Sequence, residues 1–91
     1  MKKQVHVFYA GRVQGVGFRA TVEETARQVR VAGWVKNLRD GRVELVAEGE
    51  ERSLTKFLNN LRTGPMHNFI QEIEITWNAA TEELKDFDIR Y

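Results

Sequence analysis

Arg19 and Asn37 are the residues whose types and placement best support chemistry on an anion. Arg19 closes the stretch Gly11-Arg12-Val13-Gln14-Gly15-Val16-Gly17-Phe18-Arg19, which lies between an alternating apolar run and a helical pattern. A glycine-rich turn from a strand into a helix presents unpaired backbone N–H groups. The positive end of the helix dipole adds to their pull on a negative charge. Arg19 falls in the first helical turn, and helical side chains lean toward the N-terminus, so its guanidinium reaches back over the loop. Loop amides and a guanidinium fork together suit a phosphoryl group. Asn37 offers a donor and an acceptor on one neutral side chain. An amide is no base at neutral pH, but it orients a water molecule and stabilises a transition state.

Blander readings of the same residues stay open at this point. The glycines can serve only a tight turn, with Arg19 in solvent, and Asn37 can be satisfying a hairpin. The spacing is not that of a nucleotide-binding loop, which needs Lys-Ser/Thr after its last glycine. It also lacks the third glycine and downstream acid of a dinucleotide fingerprint. Other chemistry-bearing groups are few. His6 lies on the strand face opposite the expected core and His67 in a loop after Pro65, and no carboxylate at useful spacing orients either. Two isolated histidines make a weak metal site, so no metal or other cofactor is expected. Glu23-Glu24, Glu50-Glu51 and Glu82-Glu83 are adjacent pairs that diverge on a helix and read as solvated faces. Ser53 has no histidine partner, and there is no cysteine. Chemistry here works without a strong protein base, nucleophile or metal. That favours a reactive substrate with a good leaving group, for which positioning and charge stabilisation suffice.

The elements that must position these groups follow from periodicity. The 91 residues make one domain, 1–91, and one of this size buries roughly 60–68% of its unfolded surface, enough for a single two-layer core. Residues 4 to 10 alternate, with Val5, Val7 and Tyr9 on one face, and predict a strand. Phe18, Val22, Ala26 and Val29 form a helical stripe over 18–31, with Gly33 expected as the cap. Trp34 to Leu38 predicts a second strand, Asp40-Gly41 a hairpin turn, and Val43 to Ala47 a third strand that Gly49 breaks. Ser53 is placed to cap a second helix carrying Leu54, Phe57, Leu58 and Leu61, which Gly64-Pro65 ends. Phe69, Gln71, Ile73, Ile75 and Trp77 alternate as a fourth strand, and Phe87 to Tyr91 can add a short last one.

The order βαββαβ predicts an α+β fold, the ferredoxin-like α/β sandwich with an antiparallel sheet and two helices on one face. Strands 1 and 2 then run parallel with strand 3 between them, and their C-terminal ends share one sheet edge. The glycine-rich loop and Asn37 are thereby placed roughly 10 Å apart, two strand spacings, a gap suited to a phosphoryl group and one water.

With both segments in view, the sequence closely resembles the acylphosphatase family. The stretch Gly11 to Arg19 is similar to its first signature. Gly33-Trp34-Val35-Lys36-Asn37, continuing through Gly41-Arg42-Val43 to Gly49, is similar to its second, and the resemblance spans the whole chain. It implies the same sandwich fold and hydrolysis of acyl phosphates to a carboxylate and inorganic phosphate. Arg19 matches the family's phosphate-binding arginine and Asn37 its water-orienting asparagine. The amides of Gln14, Gly15, Val16, Gly17 and Phe18 match its phosphate cradle, and no metal is implied. Three departures stand out. Tyr9 replaces a usual aliphatic residue, a change expected to alter packing only. Leu38 follows Asn37 where many members carry a hydroxyl, and Ala20 and Val22 are apolar where some carry polar groups.

The bulk numbers set the expected partners. Net charge is +1, from 14 basic and 13 acidic residues, which gives no footprint for nucleic acid. The N-terminus runs straight into a strand without a long apolar segment, so neither signal peptide nor membrane span is expected, and the default is a cytoplasmic monomer acting on a small acyl phosphate. Two competing readings share the element order. One is a binding module that keeps the loop without useful turnover; acylphosphatase-like domains also occur inside larger hydrogenase-maturation proteins. The other is an RNA-recognition domain, which stacks bases on aromatics of its central strands. The segment Arg42 to Glu48 has no aromatic residue and two acids.

Overall fold

Val5, Val7 and Tyr9 set the face on which the whole sheet buries, and all three are shielded from solvent. The computed structural model describes residues 1–91. Its strands are β1 (Lys2–Gly11), β2 (Ala32–Asn37), β3 (Val43–Glu50), β4 (Ile70–Ala79) and β5 (Phe87–Arg90). Helix α1 (Phe18–Val29) joins β1 to β2, and α2 (Glu51–Thr63) joins β3 to β4 through a short turn at His67–Phe69. The five strands lie in the order β4-β1-β3-β2-β5. Strand β3 is antiparallel to both β1 and β2, so those two run parallel around it, as the topology predicts. This is the ferredoxin-like α+β sandwich.

Both helices cover one face. Phe18, Val22 and Ala26 from α1 and Leu54, Phe57 and Leu61 from α2 close over Val35, Val43, Leu45 and Ala47. Burying one such large apolar side chain is worth about 1.5–3 kcal/mol, so this layer supplies the main drive for folding. Tyr9 meets Phe18 edge-on with ring centroids 5.1 Å apart, and Phe57 meets Phe87 the same way at 6.0 Å. Burial pushes the Tyr9 phenol up, keeping it neutral, in line with a packing role for this departure.

Several boundaries differ from the sequence expectation, each for a tertiary reason. Helix α1 stops at Val29, and its left-handed cap is Arg30 (φ 62°), not Gly33. Gly33 lies within β2, where an added Cβ would stand 1.9 Å from the Val46 carbonyl oxygen, so the glycine admits close strand approach. Gly49 does not break β3. It continues the ladder opposite Lys3, and the strand turns into α2 directly after Glu50. Ser53 therefore falls inside the first turn and does not cap α2. The Glu51 N–H is met instead by the Met1 carbonyl at 3.1 Å. Strand β4 starts at Ile70 rather than Phe69. Its register shifts opposite Ala10/Gly11, leaving Gln71 extra, and this turns Ile70 toward the core.

The other sheet face carries no helix. There Arg42 lies over Phe8, 4.5 Å from the ring centroid, and Arg90 over Trp34, at 4.6 Å. The two aromatics are thus already stacked within the chain. No helix is long and apolar enough to cross a membrane.

Candidate active site

The chain leaves β1 at Gly11, and the Arg12 N–H donates to the Phe69 carbonyl at 2.9 Å. Val13 is buried and anchors the loop at one end, and buried Phe18 anchors it at the other. Between them, Gly15 and Gly17 adopt φ of 76° and 83°. A Cβ at either would meet no atom within 4 Å, so these glycines serve backbone conformation rather than space. No N–H from Gln14 through Ala20 donates to a backbone carbonyl, and α1 has no side-chain cap. The result is a run of open donors at a helix N-terminus.

Arg19 and Asn37 meet at this loop. Both line a cavity of about 200 Å³ together with Gly15, Gly17, Phe18 and Ala20. Arg19 is fixed from the far side, where its Nη1 donates to the Arg90 carbonyl at 3.1 Å and its guanidinium stacks 4.7 Å from the Tyr91 ring centroid. Asn37 is the last residue of β2, paired with Val43 on the helix-covered side. Its Oδ1 is buried without any hydrogen-bond partner, the single such side-chain atom in the protein. A buried acceptor left unpaired costs roughly 1–3 kcal/mol, so Asn37 stands at the site at some expense to the fold.

Of the cradle residues expected from sequence, Gly15, Gly17 and Phe18 line this cavity, whereas Gln14 and Val16 do not. Val16 packs against the core, and the Gln14 side chain turns to the β2–β3 hairpin. Sequence reasoning missed Val13, Ile89 and Tyr91 as wall residues. The last two arrive because β5 pairs in parallel with the outer edge of β2, a placement that four strand residues do not announce. The hairpin after Asn37 is braced by Asp40, which accepts from the Arg42 N–H at 3.0 Å and from its Nε at 2.8 Å. Those bonds hold the Asp40 carboxyl below the usual carboxylate range, the backbone bond foremost.

The histidines lie elsewhere. His6 is not without a carboxylate: its Nε2 lies 2.6 Å from Glu44 Oε2, brought across by the β1–β3 ladder on the helix-free face. His67 contacts the Gly64 carbonyl in the turn after α2. No group of three or more His, Asp or Glu side chains is placed to hold a metal ion. A larger groove of about 660 Å³ between α2 and β4 shares no residue with the Arg19–Asn37 cavity, so volume alone does not mark the chemistry.

Known proteins share both the sequence and the fold of this chain. Residues 5–89 match the acylphosphatase family model. The chain is 45% identical over 86 residues to an acylphosphatase of Roseiflexus sp. (strain RS-1), covering 94% of this chain and 92% of that protein. It is 41% identical over 91 residues to an acylphosphatase of Syntrophus aciditrophicus (strain SB), covering 100% and 95%. The crystal structure of acylphosphatase from Bacillus subtilis superposes with a TM-score of 0.91 at 40% identity, over 98% of this chain and 99% of that one. Sequence, strand order and relatives agree along nearly the full length, and the chain belongs to the acylphosphatase family.

Proposed function

We propose that the protein hydrolyses the carboxyl–phosphate bond of acyl phosphates, using the loop amides and Arg19 for the phosphoryl group and Asn37 for the attacking water. The observation that carries this reading is the convergence of the open loop N–H groups, Arg19 and Asn37 on one cavity. A water donating one proton to Oδ1 has its lone pair free to face phosphorus. The N–H groups of Gly15, Gly17 and Phe18 and the Arg19 fork meet the phosphoryl oxygens, where charge builds as the bond breaks. The water oxygen bonds to phosphorus and the bond from phosphorus to the acyl oxygen breaks, its electron pair leaving on the carboxylate. A phosphoryl oxygen takes the water's proton, which yields inorganic phosphate. A carboxylate leaves without protonation, so no protein base or metal enters the scheme.

Hydrolysis of benzoyl phosphate in the presence of chelator tests the reading. The unchanged protein is expected to turn over, and Asn37→Ala to lose about 10²–10³ in kcat, the scale of one aimed polar group. A well-folded protein without turnover would leave a phosphate-binding module. Turnover abolished by chelator would overturn the metal-independent scheme.

A further inference from the structure

Gln14 belongs to the loop, yet its side chain points out of the cavity and into the hairpin that carries Asn37. We propose that Gln14 is a positioning residue that sets the distance between the phosphate cradle and Asn37; the proposal rests on the hydrolytic reading above. Its Nε2 donates to the Leu38 carbonyl at 2.7 Å and to the Arg42 carbonyl at 2.9 Å. A side-chain amide nitrogen has two hydrogens, and both are used. Leu38 follows Asn37, and Arg42 precedes Val43, the ladder partner of Asn37. On the other side, Gly15 is the next residue of the open amide run. One planar group thus spans the two halves of the site, with each acting group one residue from its anchor. No other hydrogen bond joins the loop to the hairpin.

Stability does not account for these bonds. The Leu38 carbonyl also accepts from the Gly41 N–H at 3.2 Å, and the Arg42 carbonyl from the Leu38 N–H at 2.8 Å. Removing the Gln14 amide therefore leaves neither acceptor unpaired, so the fold loses little. What is lost is registration between the donors that hold phosphate and the oxygen that holds water.

The test is a double-mutant cycle on benzoyl phosphate hydrolysis with Gln14→Met and Asn37→Ala. Methionine keeps the length of the side chain and removes its donors. Alone, Gln14→Met is expected to lower kcat by about 10–10²-fold, since a misplacement near 1 Å costs on that order. Inhibition by inorganic phosphate, which reads the cradle alone, stays close to that of the unchanged protein. In the Asn37→Ala background the same change costs almost nothing further, because the oxygen it served is gone. Gln14→Asn, whose amide stops one methylene short of the carbonyls, should mirror Gln14→Met. Unchanged kcat, additive losses across the cycle, or a Gln14→Met protein that fails to fold each overturns the positioning role. Absent turnover in the unchanged protein removes the hydrolytic reading itself, and is seen before the cycle begins.

Discussion

A guanidinium offers five donors in one plane, and Arg19 spends one nitrogen on the Arg90 carbonyl while its face rests on Tyr91. Those two contacts hold the rest of the fork, and on the proposed mechanism it meets two oxygens of the phosphoryl group. Lysine keeps the charge but is a point donor on a flexible stem. Arg19→Lys is therefore expected to lose about 10²-fold or more in kcat/KM, near the cost of removing an aimed donor outright, and to weaken inhibition by phosphate. A variant within a few-fold of the unchanged enzyme would show that charge alone suffices. That Arg19 and Asn37 come to one cavity was legible in the sequence, because loop composition and element order depend on local pattern. The burial of Asn37 Oδ1 and the turn of Gln14 toward Leu38 were not, since they need segments 24 residues apart to meet. His6 makes the same point, as its carboxylate partner Glu44 lies 38 residues away.

At the scale of elements, the glycines divide by the reason each is required. Gly33 combines φ of 152° with a Cβ position 1.9 Å from the Val46 oxygen, so any side chain forces β2 away from β3. Gly15 has only its left-handed φ, with open space around it. Gly33→Ala is accordingly expected to destabilise by roughly 2–4 kcal/mol, against about 1–2 kcal/mol for Gly15→Ala, which strains the backbone alone. Chemical denaturation of the two variants checks the order, and equal losses would mean that the strand contact relaxes freely. The sequence placed Gly33 at the end of α1 because glycine is the usual left-handed cap. Arg30 takes that conformation against its own preference, ahead of the buried Val31, which packs in the core. Packing outweighed propensity there, as it did where β3 ran on through Gly49. The alternating and helical stripes were legible because they report burial directly, whereas caps and ends report on neighbours that the sequence does not name.

For the whole molecule, the least legible decision is where the last strand goes, and Glu48 shows what holds it. Strand β5 lies across β2 from β3, and the chain must travel from β4 on the opposite edge to reach it. Glu48, on β3 at the end of the sheet away from Asn37, catches that connection. Its carboxylate accepts from the Thr81 N–H at 2.7 Å, the Thr81 hydroxyl at 2.8 Å and the Glu82 N–H at 2.9 Å, and from Gln4 Nε2 at 2.6 Å. The link bears on the site because β5 supplies the carbonyl that steadies Arg19. Burial of Glu48 pushes its carboxyl up, but these donors outweigh burial and hold it below its ordinary value of 4.5. A group whose folded value is depressed stabilises above its unfolded value and loses that contribution as pH falls through the folded one. Glu48→Gln keeps the shape and turns an NH₂ toward donors, so at pH 7 it is expected to cost about 2 kcal/mol. Below about pH 4.5 the unchanged protein begins to lose the same contribution, and the two melting curves draw together as the pH drops further. Thermal melts from pH 7 to pH 3 follow this convergence. A gap that stays constant over that range would show that the ionised carboxylate is not what pins the path to β5.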